Sequence, residues 1–500
     1  MRPAGNRPGR GWSIFHTMAS VLLSILLPVA VLATAAMAEQ PEQPATESAP
    51  ADSIAAPAPT GAGENIDQRI EVYDQFRALF DTARFEESLP FAQRVVELSE
   101  TDRDRDTELP IAYSNLGATQ YQLGNYDAAA ASYMKSLTLL ESSQGMSSRR
   151  MIVPLAGLGA VYAATDQHAL AVKQYDRALA VSRRSNGLFN LAQLPMIEKV
   201  ADSRFALGDF GGVERDNFYS LRVAEQNYGY NDLRTLPAAM KLATFYESLK
   251  AFAAARGLYL RVRDISMKES GGFNSLTIKS LIGIGRTHRL QYTMAPDTLE
   301  SQQPARDDVT GEVVGKVYHE SRVPPPAADR VGLKSIEKAL EILRAAPDPP
   351  RDLLAEALTE LGDWYQATSR TSLAIPYYAE ASAIYAAASD LDLGNPLLAP
   401  RMIFYRPPLA STRGMGVTTG EVVILETVFS LAVSETGETE GVTVVSSDMS
   451  DSQLAQSRRA VERAKYSPRF VDGRPVATED VRFTSKWYEQ RKAEEPSTTG

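Results

Sequence analysis

Leu158-Gly159-Ala160-Val161-Tyr162 decides the fold, because its first two residues recur at a fixed step through the middle of the chain. Steps of 42 residues from Leu116 land on Leu158, Val200, Leu242 and Ile284, each followed by a small residue: Gly117, Gly159, Ala201, Ala243 and Gly285. Rings recur at Tyr126, His168, Phe210 and Phe252, three residues before Ala129, Ala171, Val213 and Ala255. A second ring register holds Tyr133, Tyr175 and Tyr259, with Asn217 in its one gap. A period of this length describes pairs of helices that bury their apolar faces only by stacking on one another. The small residue after each Leu, Val or Ile lets a neighbouring helix approach closely. The expected class is mainly α, a helical solenoid over residues 65–390, followed by a small α+β domain.

Leu158-Gly159-Ala-Val-Tyr162 and Leu361-Gly362-Asp-Trp-Tyr365 resemble the core of tetratricopeptide repeats. The 42-residue step exceeds that family's usual ~34 residues by about two helical turns, so the array is similar to the long-helix kind of kinesin light chains. The resemblance covers Ile66 to Ala388. Its first unit, around Phe85 to Leu98, is divergent, and its fifth is interrupted before resuming at Lys334 to Ile342. It implies protein or peptide partners. The family's clamp for a C-terminal carboxylate is missing: its lysine would fall at Ser114, Ala156, Glu198, Met240 and Ile282. Arg286, His288 and Arg289 cluster on one helix, either as a contact for an acidic peptide or as a solvated face.

At 500 residues the chain exceeds one ordinary domain, and 44% hydrophobic with 23% charged residues is globular composition. A net charge of −10 argues against nucleic acid as partner. With no cysteine there is no disulfide framework or thiolate metal site. Residues 1–38 read as a signal peptide: Arg2, Arg7 and Arg10, then an apolar run from Val21 to Val31, then Ala36 and Ala38 in the spacing signal peptidase accepts. The alternative is a membrane anchor, since the 21 residues from Met18 to Ala38 are uncharged. Membrane association is expected only if this segment is retained. Residues 39–64 form a Pro/Ala-rich linker, 292–330 a disordered insertion rich in proline, and 491–500 a tail.

Beyond Pro400 the period becomes extended. Glu421 to Val433 alternates, Ser434 to Gly441 is a turn cluster, and Val442 to Val445 returns, which predicts a hairpin. A helix over Asp451 to Lys465 and a strand over Val476 to Tyr488 complete a β-β-α-β unit within residues 400–490. Several pieces resemble the C-terminal domain of TonB-family energy transducers: Tyr405-Arg-Pro-Pro-Leu-Ala410, Leu431-Ala-Val-Ser-Glu-Thr-Gly437, Val442-Thr-Val-Val-Ser-Ser447, Ala464-Lys-Tyr466-Ser-Pro468 and Asp472-Gly-Arg-Pro-Val476. The family's membrane helix carries Ser four residues before His, whereas here His16 precedes Ser20. The resemblance implies an open sheet edge that adds an extended peptide, in that family a segment of an outer-membrane receptor. By position the contacting strand is Asp480 to Trp487, including Arg482, with Tyr405 to Pro408, including Pro407, beside it. The alternative is that this domain dimerises or packs on the repeats.

No catalytic, cofactor or metal site is expected, and no enzyme. His168, His288 and His319 share no i, i+4 spacing, and His168 is expected in the core. Ser132-Tyr-Met-Lys135 and Ser335-Ile-Glu-Lys338 repeat one helical register without the companion motifs of a serine acylase. The reading is a docking scaffold of the periplasm, serving envelope transport; the alternative is an inner-membrane energy transducer facing the periplasm. N-terminal sequencing is expected to start at Glu39, whereas an intact Met1 terminus in the inner-membrane fraction would establish the anchored alternative.

Overall fold

The computed structural model describes residues 62–101, 105–270, 273–293, 330–387, 394–408 and 421–491. The expected signal segment, nearly all of the linker, residues 294–329 of the insertion and the tail from 492 lie outside them. Among the described residues no helix is long and apolar enough to cross a membrane. The described residues divide into two compact units, one ending at Tyr230 and one beginning at Asn231.

The first unit has four helical hairpins: α1 (Ala62–Asp81) with α2 (Phe85–Glu100), α3 (Arg105–Gln122) with α4 (Tyr126–Gln144), α5 (Ile152–Ala164) with α6 (His168–Asn186), and α7 (Leu194–Ala206) with α8 (Phe210–Tyr228). The second unit has three: α9 (Leu236–Ser248) with α10 (Phe252–Ser270), α11 (Ser275–Thr293) with α12 (Arg330–Ala345), and α13 (Arg351–Ala367) with α14 (Thr371–Ala387). The insertion therefore falls between the two helices of one hairpin.

The 42-residue registers form the interior. Leu116, Leu158, Val200, Leu242 and Ile284 are all buried, as is Leu361 of the later Leu-Gly pair, each contributing about 1.5–3 kcal/mol. Tyr133, Tyr175, Tyr259 and Tyr378 lie flat against glycine or alanine. A Cβ at Gly159 would come within 3.0 Å of the Tyr175 ring, and one at Gly362 within 2.6 Å of Tyr378. Tyr133 is held between Gly117 of its own hairpin and Gly157 of the next. The small residue thus admits a ring from the second helix.

The first ring register does a different job. Tyr121 packs on Tyr126 at 5.6 Å, and Phe205 on Phe210 at 5.6 Å, closing the turn inside each hairpin. His168 belongs to this register and is half-buried beside its turn, not in the core. The turns inside six of the hairpins carry one left-handed residue each, Ala83, Gly124, Asp166, Gly208, Lys250 and Ser369. Between hairpins the demand is stricter. Gly145, Gly187 and Gly229 have φ of 80, 89 and 90° with ψ of 166, 159 and 155°, a region essentially restricted to glycine.

After α14 the chain forms β1 (Arg401–Phe404), β2 (Glu421–Val433), β3 (Thr439–Ser447), α15 (Asp451–Glu462), β4 (Lys465–Ser467), β5 (Arg469–Val471), β6 (Arg474–Val476) and β7 (Thr478–Arg491). The main sheet is antiparallel in the order β3-β2-β7, while β1 pairs with β4 and β5 with β6. The β-β-α-β order holds, but the expected last strand divides into β6 and β7, and β1 was not anticipated. Ser450 caps α15 in a reciprocal pair with Gln453. Phe429, Leu431, Val433, Val442, Val461 and Tyr466 form the core beneath the sheet.

This part is not a separate body on a tether. Phe470 of β5 and Leu397 share a core with Leu361, Trp364 and Tyr378 of the last hairpin, and the Gln366 side-chain amide donates to the Thr436 carbonyl at 2.9 Å.

Replacing Gly159 by Leu should cost about 1–3 kcal/mol, because its Cβ alone would already meet the buried Tyr175 ring at 3.0 Å. Gly257, mid-helix in α10 with nothing near its added Cβ, is the control: Gly257→Ala should raise stability by about 0.5–1 kcal/mol. Denaturant titration of both variants checks the pair.

Candidate peptide-docking site

Among the described residues β7 pairs only with β2, so its other edge is open. Which backbone groups face outward follows from one hydrogen bond. The Glu426 carbonyl accepts from the Asp448 N–H at 3.0 Å, so the backbone of Glu426 faces β3. Its partner across β2 and β7 is Lys486, which therefore forms a non-hydrogen-bonded pair and turns its own N–H and C=O away from β2. Register is unbroken from Glu421↔Arg491 to Leu431↔Val481, so alternation extends this to Thr484 and Arg482.

The same three residues are exposed, whereas Val481, Phe483, Ser485 and Trp487 turn to the covered face. Arg482 pairs with Asp480 at 3.0 Å and Lys486 with Glu426 at 3.1 Å. Tyr405 meets Phe483 edge-on at 4.8 Å, and its hydroxyl lies 3.0 Å from that of Ser485. Burial raises its phenol above the ordinary value. Pro407 is half-buried just beyond. The structure thus brings Tyr405 against β7.

Arg286 and Arg289 lie elsewhere, on α11, facing carboxylates of this chain. Arg286 donates from Nε to Glu247 at 2.6 Å and from Nη1 to Glu356 at 2.8 Å. Arg289, 5% exposed, donates to Glu360 at 2.6 Å and approaches Asp363 at 3.2 Å. Burial opposes the Arg289 charge, yet Glu360 and Asp363 hold its guanidinium above the usual arginine value. Asp363, 1% exposed, also accepts from the Tyr378 hydroxyl at 2.8 Å and from Arg401 of β1 at 2.7 Å. Burial, then the Asp363 carboxylate, pushes the Tyr378 phenol well up. The expectation of an acidic-peptide contact or a solvated face is corrected here: both arginines are already neutralised from within, across 39 to 71 residues of sequence.

Asp363 and Arg401 were missed by sequence reasoning. One signal was available: an aspartate directly after Leu361-Gly362, inside an apolar helix, needs a buried cation. The repeated Ser-x-x-Lys pairs have other uses. Ser132 donates to Gln120 at 2.7 Å, Ser335 to the Val331 carbonyl at 2.8 Å, and Lys338 to Glu341 at 2.7 Å. Among the described residues no three histidine or carboxylate side chains gather as a metal site.

Residues 331–387, from α12 to α14, match the tetratricopeptide repeat family. No curated protein matches the chain. Among solved structures, the C-terminal part of a TPR repeat-containing protein from Cytophaga hutchinsonii is similar at 14% identity, with a TM-score of 0.40 over 64% of this chain and 96% of that one. Kinesin light chain TPR-like repeats from Podosopora anserina reach 15% identity and a TM-score of 0.37, covering 40% of this chain and 96% of theirs. Aspartyl phosphate phosphatase F of Bacillus subtilis reaches 12% and 0.39, over 68% and 78%.

Replacing Asp363 by Ala should cost about 3–5 kcal/mol, since it leaves Arg289 without one of its two carboxylates and Arg401 without its own. Thermal unfolding should show the loss, and Glu356→Ala, at the exposed end of the same helix face, should cost far less.

Proposed function

We propose that this protein is a docking scaffold of the Gram-negative cell envelope. Its helical repeats hold protein partners, and its C-terminal sheet, similar to that of TonB-family transducers, takes an extended peptide as a further strand on β7. The observation that carries this reading is the open edge itself: Arg482, Thr484 and Lys486 turn their backbone groups away from β2 and their side chains to the exposed face of the sheet. Unpaired edge groups of this kind are what strand addition uses, and affinity then comes from main-chain hydrogen bonds. Tyr405 and Pro407 would border the added strand. A segment of an outer-membrane receptor is the proposed occupant, and the periplasm the proposed location. The segment Met18 to Ala38 favours the second reading, an inner-membrane-anchored transducer, if it is retained.

A proline at position 482 removes an outward donor without breaking the β2 ladder. Arg482→Pro and Thr484→Pro should each weaken capture of an envelope receptor segment by about 1–3 kcal/mol, while Arg482→Ala stays near wild type. Isothermal titration with chains shown folded by circular dichroism checks this. A folded proline variant that binds as wild type does would remove the edge from consideration.

A further inference from the structure

Three glycines between hairpins of the first unit are each followed by a large apolar side chain that the fold leaves in the open. Met146 follows Gly145, Leu188 follows Gly187 and Tyr230 follows Gly229, at 68%, 62% and 59% exposure. They keep the 42-residue step, so the stacking of hairpins sets them in file along one edge of this unit. Arginines accompany them. Arg149 and Arg150 stand in the short helical turn before α5, Arg183 and Arg184 in the last turn of α6, and Arg222 on α8. The Arg184 guanidinium donates to the Ser147 hydroxyl, and Arg150 donates to the Thr107 carbonyl at 3.4 Å, tying the first of these turns to α6 and α3. Arg183 lies over the Tyr219 ring at 4.5 Å and Arg222 over Phe189 at 6.0 Å, with the two rings 6.2 Å apart. Tyr219 and Asn227 donate to the carbonyls of Leu188 and Phe189, so the second turn is fixed from α8. Among the described residues none of these five arginines forms an ion pair. The described carboxylates in the helix turns at this end of α3 to α8 are Asp106, Glu108, Glu141 and Glu225. Arg69 holds Glu108 at 2.8 Å and Arg177 holds Glu141 at 2.6 Å. Five guanidinium groups therefore outnumber the remaining Asp106 and Glu225, in a chain whose net charge is −10. The repeat itself does not ask for arginine here: one step of 42 before and after Arg183 stand Glu141 and Glu225.

We infer that this edge is a contact surface for an anionic lipid bilayer. Met146, Leu188 and Tyr230 enter the boundary between headgroups and acyl chains, and the arginines meet the headgroup charge. A soluble acidic segment would satisfy the arginines but would leave exposed apolar side chains at three successive turns without a use. An anionic bilayer answers both features at once. Stacking on Tyr219 and Phe189 holds the stems of Arg183 and Arg222 against apolar surface and leaves their Nη groups for phosphate oxygens. Tyrosine, with an apolar ring and a polar tip, suits the same boundary. The contact is peripheral, and salt weakens it. It neither uses nor requires the β7 edge.

Flotation with vesicles tests this on the chain from Glu39, which keeps every described residue and removes Met18 to Ala38 as a rival membrane contact. Vesicles of phosphatidylcholine with about 30% phosphatidylglycerol should bind the chain at least about tenfold more tightly than pure phosphatidylcholine does. Arg149→Gln combined with Arg184→Gln should weaken that binding about 25-fold, at roughly fivefold per arginine. Met146→Ser combined with Leu188→Ser should weaken it at least about fivefold. Arg482→Pro should bind the vesicles as wild type does, which keeps this surface apart from the sheet edge. Equal binding to both vesicles, binding to neither, or a loss in only one of the two double variants would overturn the proposal. A loss confined to the arginine variant would point instead to an acidic protein partner. If a variant does not fold, hydrogen exchange on the wild-type chain decides. Amides of residues 146–150 and 187–190 should slow at least about threefold with anionic vesicles and stay unchanged with neutral ones. No slowing, or equal slowing with both, would overturn it.

Discussion

A carboxylate removed from water is tolerated only where cations and donors replace its hydration, and Asp363 is such a group. Its partners come from three places: Arg289 on α11, Tyr378 on α14 and Arg401 on β1. None of these can leave without stranding charge inside the second unit. The last hairpin, the helix before the insertion and the first strand of the sheet are therefore bound to form together. Phe470, packed against Tyr378 at 6.2 Å, adds β5 to the same core. What began as repeat array plus appended domain is, at this end, one packed body.

Within the hairpins the governing contact is simpler. A tyrosine on the second helix needs a residue without bulk on the first, and Gly117, Gly159 and Gly362 supply it. Gly283 does the same for Tyr259 from the following helix, where a Cβ would come within 2.6 Å of the ring. Asn217, in the gap of the tyrosine register, is buried, as is Ala201 at the small-residue position of the same hairpin.

The helical part was readable because its determinants repeat locally: Leu116-Gly117 and Tyr133 are less than one hairpin apart. The alternation of Glu421 to Val433 likewise announced a strand, and Phe483 is on the covered face while Arg482 is not. Three features were beyond such reading. The ion pairs of Arg289 and Arg401 join residues 71 and 38 apart, and nothing local in either sequence names its partner. β1 is four residues long, too short to display a period. The direction of the β7 backbone depends on a bond between Glu426 and Asp448, on two other segments. The glycines at 145, 187 and 229 are different: their 42-residue step was on view in the sequence, but its reason is the backbone they adopt.

Those two kinds of turn also determine where this chain can change length. The turn inside a hairpin accepts glycine, alanine, aspartate, lysine or serine at its left-handed residue, so it makes little demand on sequence. Another step of 42 from Lys250 arrives at Tyr292, at the end of α11, and in sequence residues 294–329 fall between α11 and α12. Making a flexible connection tenfold longer costs only about 2 kcal/mol, because the penalty grows with the logarithm of length. An addition at the glycine turn would change the phase at which one hairpin follows the next. Growth of this protein by insertion is thus channelled to one side of the repeat, where a new segment can be carried without the stack having to be rebuilt.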